Sequence, residues 1–262
     1  MRRFQWLLTF GFAMSFYFFF HAGETIAQSS PLLDFNDQKI RDRIQAGGFI
    51  TTKPISAWGS IVGTKDAAVN LSEGEIVYIM VEPGKEVKSG DRFSIVRLDK
   101  EVIHPETRKK MGFLVVVSGE LVILSGKERM ATGRISKSFQ STLLGDRIVP
   151  PSPGPESISI RVMKKIEAIV LHAAGNVENV TEKEFLYIDQ GWQQGVIVGD
   201  HLSIYQRGTF SEEILKKEKG KVPMAKVGEA IVVSVQEDTS TAMVLKSLQA
   251  IYIGDKAVSG GE

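Results

Sequence analysis

The chain of 262 residues contains no cysteine. Disulfide bonds, a cysteine nucleophile and a lipid attached to an N-terminal cysteine are therefore excluded. The sequence also has no Gly-x-Ser-x-Gly nucleophile turn and no glycine-rich phosphate-binding loop. These absences argue against the common nucleophilic and nucleotide-dependent enzymes, and they leave packing alone to hold the core.

An excess of charge of either sign is also missing. The 32 basic and 31 acidic residues nearly balance. Removal of residues 1–27 takes away two Arg and one Glu and leaves 30 residues of each sign. Because a neutral domain has no long-range field that attracts nucleic acid, we predict no nucleic-acid partner.

The N-terminus has the pattern of a secretory signal. Arg2 and Arg3 precede an apolar run of 15 residues, Trp6–Phe20, and Thr25-Ile26-Ala27 places small side chains where a signal peptidase reads them. A retained membrane anchor is the alternative, although a helical span needs roughly 20 apolar residues. We predict a Sec-type signal peptide over residues 1–27, a periplasmic or secreted protein that is not a lipoprotein, and no transmembrane segment after cleavage.

One stretch of the chain occurs twice. Residues 119–149 align without a gap to residues 228–258, at an offset of 109, and 11 of the 31 pairs are identical. The same offset carries Tyr78 onto Tyr187. An ungapped match of this length predicts a duplicated domain.

A Gly-Asp pair precedes a predicted strand at four places. Glycine permits a positive φ, and Asp can accept a hydrogen bond from a nearby backbone N–H. We interpret the pairs as structural turns that return the chain into a new strand, and a set of acid–base carboxylates is the alternative interpretation. The pairs are Gly90-Asp91, Gly145-Asp146, Gly199-Asp200 and Gly254-Asp255.

Many short strands separated by turn signals predict an all-β protein with two tandem homologous modules, each a small β-barrel or sandwich. A proline-rich linker, which favours a stiff extended spacer, joins the modules. The predicted organisation is a signal peptide (1–27), a tether with a short helix (28–47), a first β-module (48–149), the Pro-rich linker (150–156) and a second β-module (157–259).

Five local expectations follow from the pattern of apolar and turn residues. The helix of the tether begins with Asn36 as its N-cap and reaches Gln45. Residues 211–221 form a solvated loop or hairpin, and a single helical turn follows Ser138. Residues 113–118 and 121–124 form separate strands, and residues 168–170 align with residues 60–62 once one gap is allowed.

Several motifs resemble the C-terminal β-modules of cell-envelope proteins that often carry an N-terminal LysM domain. They are Phe49-Ile50-Thr51 with Pro54, Gly59 to Gly63, Leu71 to Gly74, Gly90 to Phe93, His104 to Thr107, Gly112, and the block from Gly119 to Asp146. The segment between residue 27 and Gly48 is too short for a LysM domain, so the resemblance does not carry glycan binding with it.

The second copy is similar to the C-terminal domain of flagellar assembly protein T, a ring component around the flagellar rod. The motifs are Gly195-Val196, Gly199-Asp200 and the block from Gly228 to Asp255. The two resemblances imply a β-fold and a place in the cell envelope.

Three residues are candidate contacts for a ligand or a partner. Trp192 is a candidate for stacking on a sugar or anchoring a partner, and capping of the barrel end is the alternative. Arg108 and Lys109 form a basic hairpin tip, which is a candidate contact for an acidic envelope polymer or a partner. We predict no metal and no cofactor, since the histidines at 104, 172 and 201 show no ligand spacing.

The leading hypothesis is a non-enzymatic envelope protein that acts as a structural or protein-interaction scaffold, flagellar-ring-like, with envelope proteins or copies of itself as partners. A peptidoglycan- or polysaccharide-binding module is the alternative. A hydrolase with a site built from scattered residues is a third hypothesis, which requires a corner Asp beside a His in a cleft.

Overall fold

A computed structural model describes residues 37–66, 70–151, 158, 165–174, 180, 182–217 and 222–259, all within one compact unit, residues 33–262. The helices are α1 (Gln38–Ala46) and α2 (Glu212–Lys217), with a 3-10 helix at Trp192–Gln194. The strands are β1 (Phe49–Thr51), β2 (Gly59–Thr64), β3 (Ile76–Val81), β4 (Arg92–Ile103), β5 (Lys110–Lys127), β6 (Met130–Ser138), β7 (Arg147–Val149), β8 (Ile166–Ala173), β9 (Phe185–Ile188), β10 (His201–Arg207), β11 (Met224–Val235), β12 (Ser240–Ser247) and β13 (Lys256–Ser259).

Strands β2 to β7 form the first barrel. They are joined in the antiparallel order β2-β3-β6-β5-β4-β7, and the pairing of β7 with β2 closes the sheet. Burial alternates along β3 and β6, because successive side chains of a strand point to opposite faces. Outside this barrel, β1 pairs with the first half of β5.

Strands β8 to β13 form a second closed barrel in the order β8-β9-β12-β11-β10-β13. Each strand takes the place of the strand six positions earlier in the first barrel. The prediction of an all-β protein with two tandem barrel modules is confirmed.

The offset of 109 residues relates the two cores as well. Ten positions are buried and apolar in both: Ile61/Val170, Leu71/Val180, Val77/Leu186, Ile79/Ile188, Phe93/Leu202, Ile95/Ile204, Leu121/Ala230, Ile123/Val232, Ile135/Val244 and Ile148/Ala257. The gap expected at residues 168–170 is therefore wrong. Ile61 and Val170 occupy the same place, since their N–H groups donate to the carbonyls of Asp146 and Asp255.

The strand β5 is longer than the sequence predicted. Residues 113–118 and 121–124 belong to one strand and do not form two, because Gly119 marks a bulge and not a break. A Cβ at Gly119 would lie 2.4 Å from the carbonyl oxygen of Lys137, so glycine lets the neighbouring strand approach while β5 continues.

The helix α1 is confirmed in place but not in its cap. The N-cap is Asp37, whose carboxylate accepts the N–H of Lys39. The sequence predicted Asn36 as the N-cap. Ile40 and Ile44 face one way, as i,i+4 neighbours do, and pack on an apolar cluster outside the second barrel.

Two other local expectations are corrected. No helical turn follows Ser138, because the N–H groups of Phe139 and Gln140 both donate to the carbonyl of Ser118 instead. The segment expected as a loop or hairpin at 211–221 contains the short helix α2, and residues 218–221 lie outside the described residues.

The predicted signal peptide lies outside the described residues, as do residues 152–156 of the predicted linker. In the part of the chain that the structure describes, no helix has both the length and the apolar character needed to cross a membrane.

Candidate functional site

The four Gly-Asp corners share one hydrogen-bond pattern. Each Asp carboxylate accepts the backbone N–H of the residue three positions earlier, at 2.7, 2.9, 3.0 and 2.8 Å in chain order. Each glycine has a φ between 91° and 97°, in the region that glycine adopts readily. The glycine N–H and the Asp carbonyl then form a pair of bonds with one core residue of another strand, which is Ile123, Ile61, Val232 or Val170.

The corner carboxylates differ in burial. Asp146 and Asp200 are each 2% exposed and Asp255 is 7% exposed, whereas Asp91 is partly exposed. Burial raises the pKa of each of the three buried carboxyls above its ordinary value, because loss of water disfavours the charged form. Hydrogen bonds from the backbone oppose this effect without cancelling it.

The three described cavities are lined by other residues, and none of them contains a corner aspartate. Among the described residues, no group of three or more His, Asp or Glu side chains has the geometry to hold a metal ion. The structure thus places the predicted corner residues in backbone turns.

A seam between the two barrels is built on β1 and the residues before it. The Tyr187 hydroxyl donates to the carbonyl of Gly47 at 2.8 Å. The hydroxyls of Thr241 and Thr239 donate to the carbonyls of Gly48 and Ile50, both at 2.9 Å. Because β1 also pairs with β5, this segment is hydrogen-bonded to both barrels at once.

Apolar side chains fill the seam beside these hydroxyls. Ile50 packs with Val102, Met111 and Leu114 of the first module and with Leu171 and Tyr187 of the second. The long β4–β5 hairpin supplies the first-module side chains, because it extends beyond its own barrel. The two barrels are therefore joined by a packed contact, which the sequence did not predict.

His104, at the end of this hairpin, fixes the hairpin to the second barrel. Its Nδ1 accepts the N–H groups of Glu106 and Thr107, so the ring proton lies on Nε2, which donates to Asp189 at 3.2 Å. The other Asp189 oxygen accepts the N–H of Ile169 at 2.6 Å. This contact joins residues 85 positions apart.

Arg108 and Lys109 lie at the turn that His104 organises. Both side chains are exposed, and Arg108 has a positive φ of 61°. The N–H of Arg108 donates to the carbonyl of His104, and the carbonyl of Lys109 accepts the N–H of His104. The predicted basic tip therefore exists as a surface turn at the edge of the seam.

Trp192 lies in the 3-10 helix and is 58% exposed. It borders a shallow cavity of about 120 Å³ together with Thr52, Gln236, Glu237 and Asp238. A side chain this exposed does not close the end of the barrel, so the indole ring is free to meet a ligand or a partner.

The other two histidines named in the sequence lie apart from His104. The imidazole of His172 stacks on Tyr187, with ring centroids 6.2 Å apart, and burial lowers its pKa. His201 contacts Glu229 at 3.3 Å on the second barrel. The structure does not bring the three histidines into one site.

A groove of about 590 Å³ runs between the two barrels. Its walls are Val96, Val117 and Phe139 from the first barrel and Val198, Val233 and Val235 from the second. Lys53, Glu120 and Gln236 add polar groups to the lining. An apolar groove of this size with a few polar groups is typical of a binding site, and it is the candidate functional site of this protein.

Sequence reasoning missed both the seam and the groove. Their residues come from segments far apart in the chain, and no local motif marks them. A signal was present nonetheless, because Val102, Ile103, Met111 and Leu114 place apolar residues at the far end of the β4–β5 hairpin, beyond its own barrel. No known protein family and no curated protein matches the chain.

The first prediction concerns Asp200. Its raised pKa means that its stabilising contribution is fully present below the ordinary value of 3.8 and is lost as pH rises through the folded-state pKa. Asp200→Asn keeps an acceptor for Ile197 and does not titrate. The stability of the variant relative to wild type should therefore increase from pH 3.5 to pH 7, as measured by urea unfolding. Asp200→Ala is the control: it does not titrate either and should show the same pH trend, but it also removes the acceptor and should be less stable than Asp200→Asn by about 1–3 kcal/mol at both pH values.

The second prediction concerns the seam. Thr241→Val leaves the buried Gly48 carbonyl without its partner, and we expect a loss of about 1–3 kcal/mol in the free energy of unfolding. Thr132→Val is the matched control, since Thr132 occupies the equivalent position on the first barrel, is only partly buried there, and should change stability by less than about 0.5 kcal/mol. Equal losses in the two variants would contradict the seam as described.

Proposed function

We propose that this protein is a non-enzymatic, exported cell-envelope scaffold that binds a partner protein in the groove between its barrels. The N-terminal pattern of a secretory signal and the resemblance to envelope β-modules support the compartment. The groove is the observation that carries the proposal.

The occupant proposed for the groove is an apolar segment of an envelope protein. Both walls are dominated by branched apolar side chains and Phe139, which favour burial of an apolar chain over a sugar or a charged ligand. Glu120 lies in the same lining and offers a negative charge to the flank of such a segment, whereas the ammonium group of Lys53 is paired with Glu237. The seam holds the walls at a fixed separation, so the groove is formed before the partner arrives.

Photo-crosslinking tests this proposal. A photoreactive phenylalanine analogue at position 139 is expected to form one discrete adduct with an envelope protein in the producing cells. The same analogue at position 248 is the matched control, because Leu248 is the equivalent residue of the second barrel and is 53% exposed outside the groove. Glu120→Lys, which reverses a charge in the lining, should weaken the adduct at position 139. Adducts of equal yield at both positions, or none at either, would reject the groove as the partner site.

A polysaccharide-binding module is the second candidate, and the exposure of Trp192 is the observation that favours it. The indole borders a small cavity together with the carboxylates of Glu237 and Asp238 and the amide of Gln236, which are groups able to hydrogen-bond to sugar hydroxyls.

Sedimentation with purified peptidoglycan sacculi separates the two candidates. If the second is correct, the protein pellets with sacculi, and Trp192→Ala weakens binding about tenfold or more, as loss of a central aromatic contact does. Tyr252→Ala is the control, since Tyr252 is an exposed aromatic residue, 44% accessible, remote in sequence from this cavity. A protein that stays in the supernatant is the result expected of the scaffold.

A further inference from the structure

Four large apolar side chains lie on the outside of the first barrel and remain exposed. They are Val62, Tyr78, Met80 and Met130, with exposed fractions between 37% and 47%. Strand pairing brings them together, because Met80 lies opposite Met130 and Tyr78 lies opposite Thr132 on the same two strands, with β2 beside them. We call the surface of these four residues and Thr132 the open face. A cluster of exposed apolar side chains marks an interaction site.

The same surface of the second barrel is the seam. At an offset of 109 residues, the positions of the open face become Leu171, Tyr187, Asp189, Thr239 and Thr241. Leu171 and Tyr187 are buried there, because the first module packs on them. One face of the duplicated barrel is thus covered in the second copy and exposed in the first. The cover in the second copy shows which chemistry this face accepts.

The main chain that covers the second barrel is held by two opposed hydroxyl groups. We call residues 47–53, which include β1, the covering segment. The hydroxyls of Tyr187 and Thr241, opposite each other on β9 and β12, donate to its first two carbonyls, those of Gly47 and Gly48. Gly48 has a positive φ of 60°, which glycine adopts readily, and this turn lets two successive carbonyls face one surface before the segment extends into β1.

Two side chains of the covering segment add to these bonds. Ile50 packs with Leu171 in the apolar cluster of the seam. Lys53 forms an ion pair with Glu237, which lies in the turn between β11 and β12. The second barrel thus recognises three features of the covering segment: two successive carbonyls, an apolar side chain and a cation.

The open face repeats the groups that make all three contacts. Tyr78 and Thr132 form the same opposed pair of hydroxyls, on β3 and β6. Val62 stands where the second barrel has leucine. Glu128, in the turn between β5 and β6, is exposed and stands where the second barrel has the glutamate that binds lysine. The first barrel therefore keeps a site for a segment of the same kind.

Two positions differ, and both become apolar on the open face. Thr239, which binds a carbonyl of β1, is replaced by Met130. Asp189, which binds His104 of the β4–β5 hairpin, is replaced by Met80. The partner lost with Asp189 belongs to the hairpin and not to the covering segment, so the open face needs no hairpin beside its occupant. The methionines offer adaptable apolar surface in its place.

We propose that the open face binds a segment of a partner protein with the pattern of the covering segment. This occupant has a small residue and a glycine whose carbonyls meet Tyr78 and Thr132. An apolar residue follows three positions after the small residue, and a Lys or Arg follows six positions after it, beside Glu128. The chain's own covering segment is already bound in the seam, so the occupant comes from another protein.

The inference goes beyond the proposed function, because it gives the molecule a second partner site. No residue of the open face lines the groove. The two sites can therefore be tested separately.

A synthetic peptide with the sequence of residues 46–54 and blocked ends is the probe, titrated into the full chain and followed by NMR. We expect a Kd of about 1 mM or lower. Thr132→Val and Tyr78→Phe should each weaken binding about threefold to tenfold, because each removes one hydroxyl donor. Neither change removes a buried bond of the fold, so weaker binding would not reflect unfolding. A peptide with Gly48→Val should also bind more weakly, since a β-branched residue resists a positive φ.

The cation of the segment provides a reciprocal test at low salt. A peptide with Lys53→Glu should bind wild type more weakly, by up to about fivefold, as expected for an exposed ion pair. The Glu128→Lys variant of the protein should restore the affinity of this peptide. Leu144→Lys is the matched control, because it changes an exposed apolar residue of the first barrel outside the open face, and it should bind the original peptide like wild type.

Three results would overturn the proposal. The first is a peptide that does not bind, or whose binding is unchanged by Thr132→Val and by Met80→Lys. The second is self-association of the full chain that Met80→Lys abolishes, because the occupant would then be a second copy. The third is adsorption to phospholipid vesicles that Met80→Lys abolishes, because the occupant would then be a membrane. A groove adduct at position 139 without peptide binding would reject the open face as a site and leave the proposed scaffold in place.

Discussion

Three hydroxyl groups of the second barrel hold the main chain that leads into the first, and the arrangement of the whole molecule depends on this contact. The carbonyls of Gly47, Gly48 and Ile50 are buried in the seam and are satisfied by Tyr187 and by Thr241 and Thr239. A buried carbonyl without a partner destabilises a fold, so these bonds fix the place of β1. Because β1 also pairs with the first barrel, fixing it sets the separation of the groove walls.

The duplication explains why the two barrels have the same skeleton and different surfaces. The Gly-Asp corners recur because each returns the chain into a strand and closes two backbone bonds with a core residue. Around the corners the copies diverge. Asp146 has Arg97, Ser118 and Thr142 in its surroundings, which form a small polar cluster. The equivalent surroundings of Asp255 are Gln206, Val227 and Ile251, which are mostly apolar.

The sequence predicted those features that depend on local patterns or on the internal repeat. Alternating apolar residues revealed the strands, and the repeat revealed two modules with matching cores. Prediction was less good where one residue decides between two local outcomes, as with the cap at Asp37 and the bulge at Gly119. It failed for the seam and the groove. In the sequence, Tyr187 is an ordinary strand residue, and nothing around it indicates that its hydroxyl binds the carbonyl of Gly47, which is 140 residues away. A tertiary contact of this kind leaves no periodic signal.

The seam also determines which parts of the molecule can complete their folding first. Its three hydroxyl bonds join groups separated by 140, 189 and 193 residues, so they form only after nearly the whole chain has been made. Until then, the apolar side of the β4–β5 hairpin and the bare carbonyls of β1 remain in water. Long-range contacts of this kind are slow to close and leave aggregation-prone surfaces exposed in the interval. A nascent chain interrupted after the first barrel would expose the apolar residues of the β4–β5 hairpin to water, because the second barrel on which they pack would not yet have been synthesised.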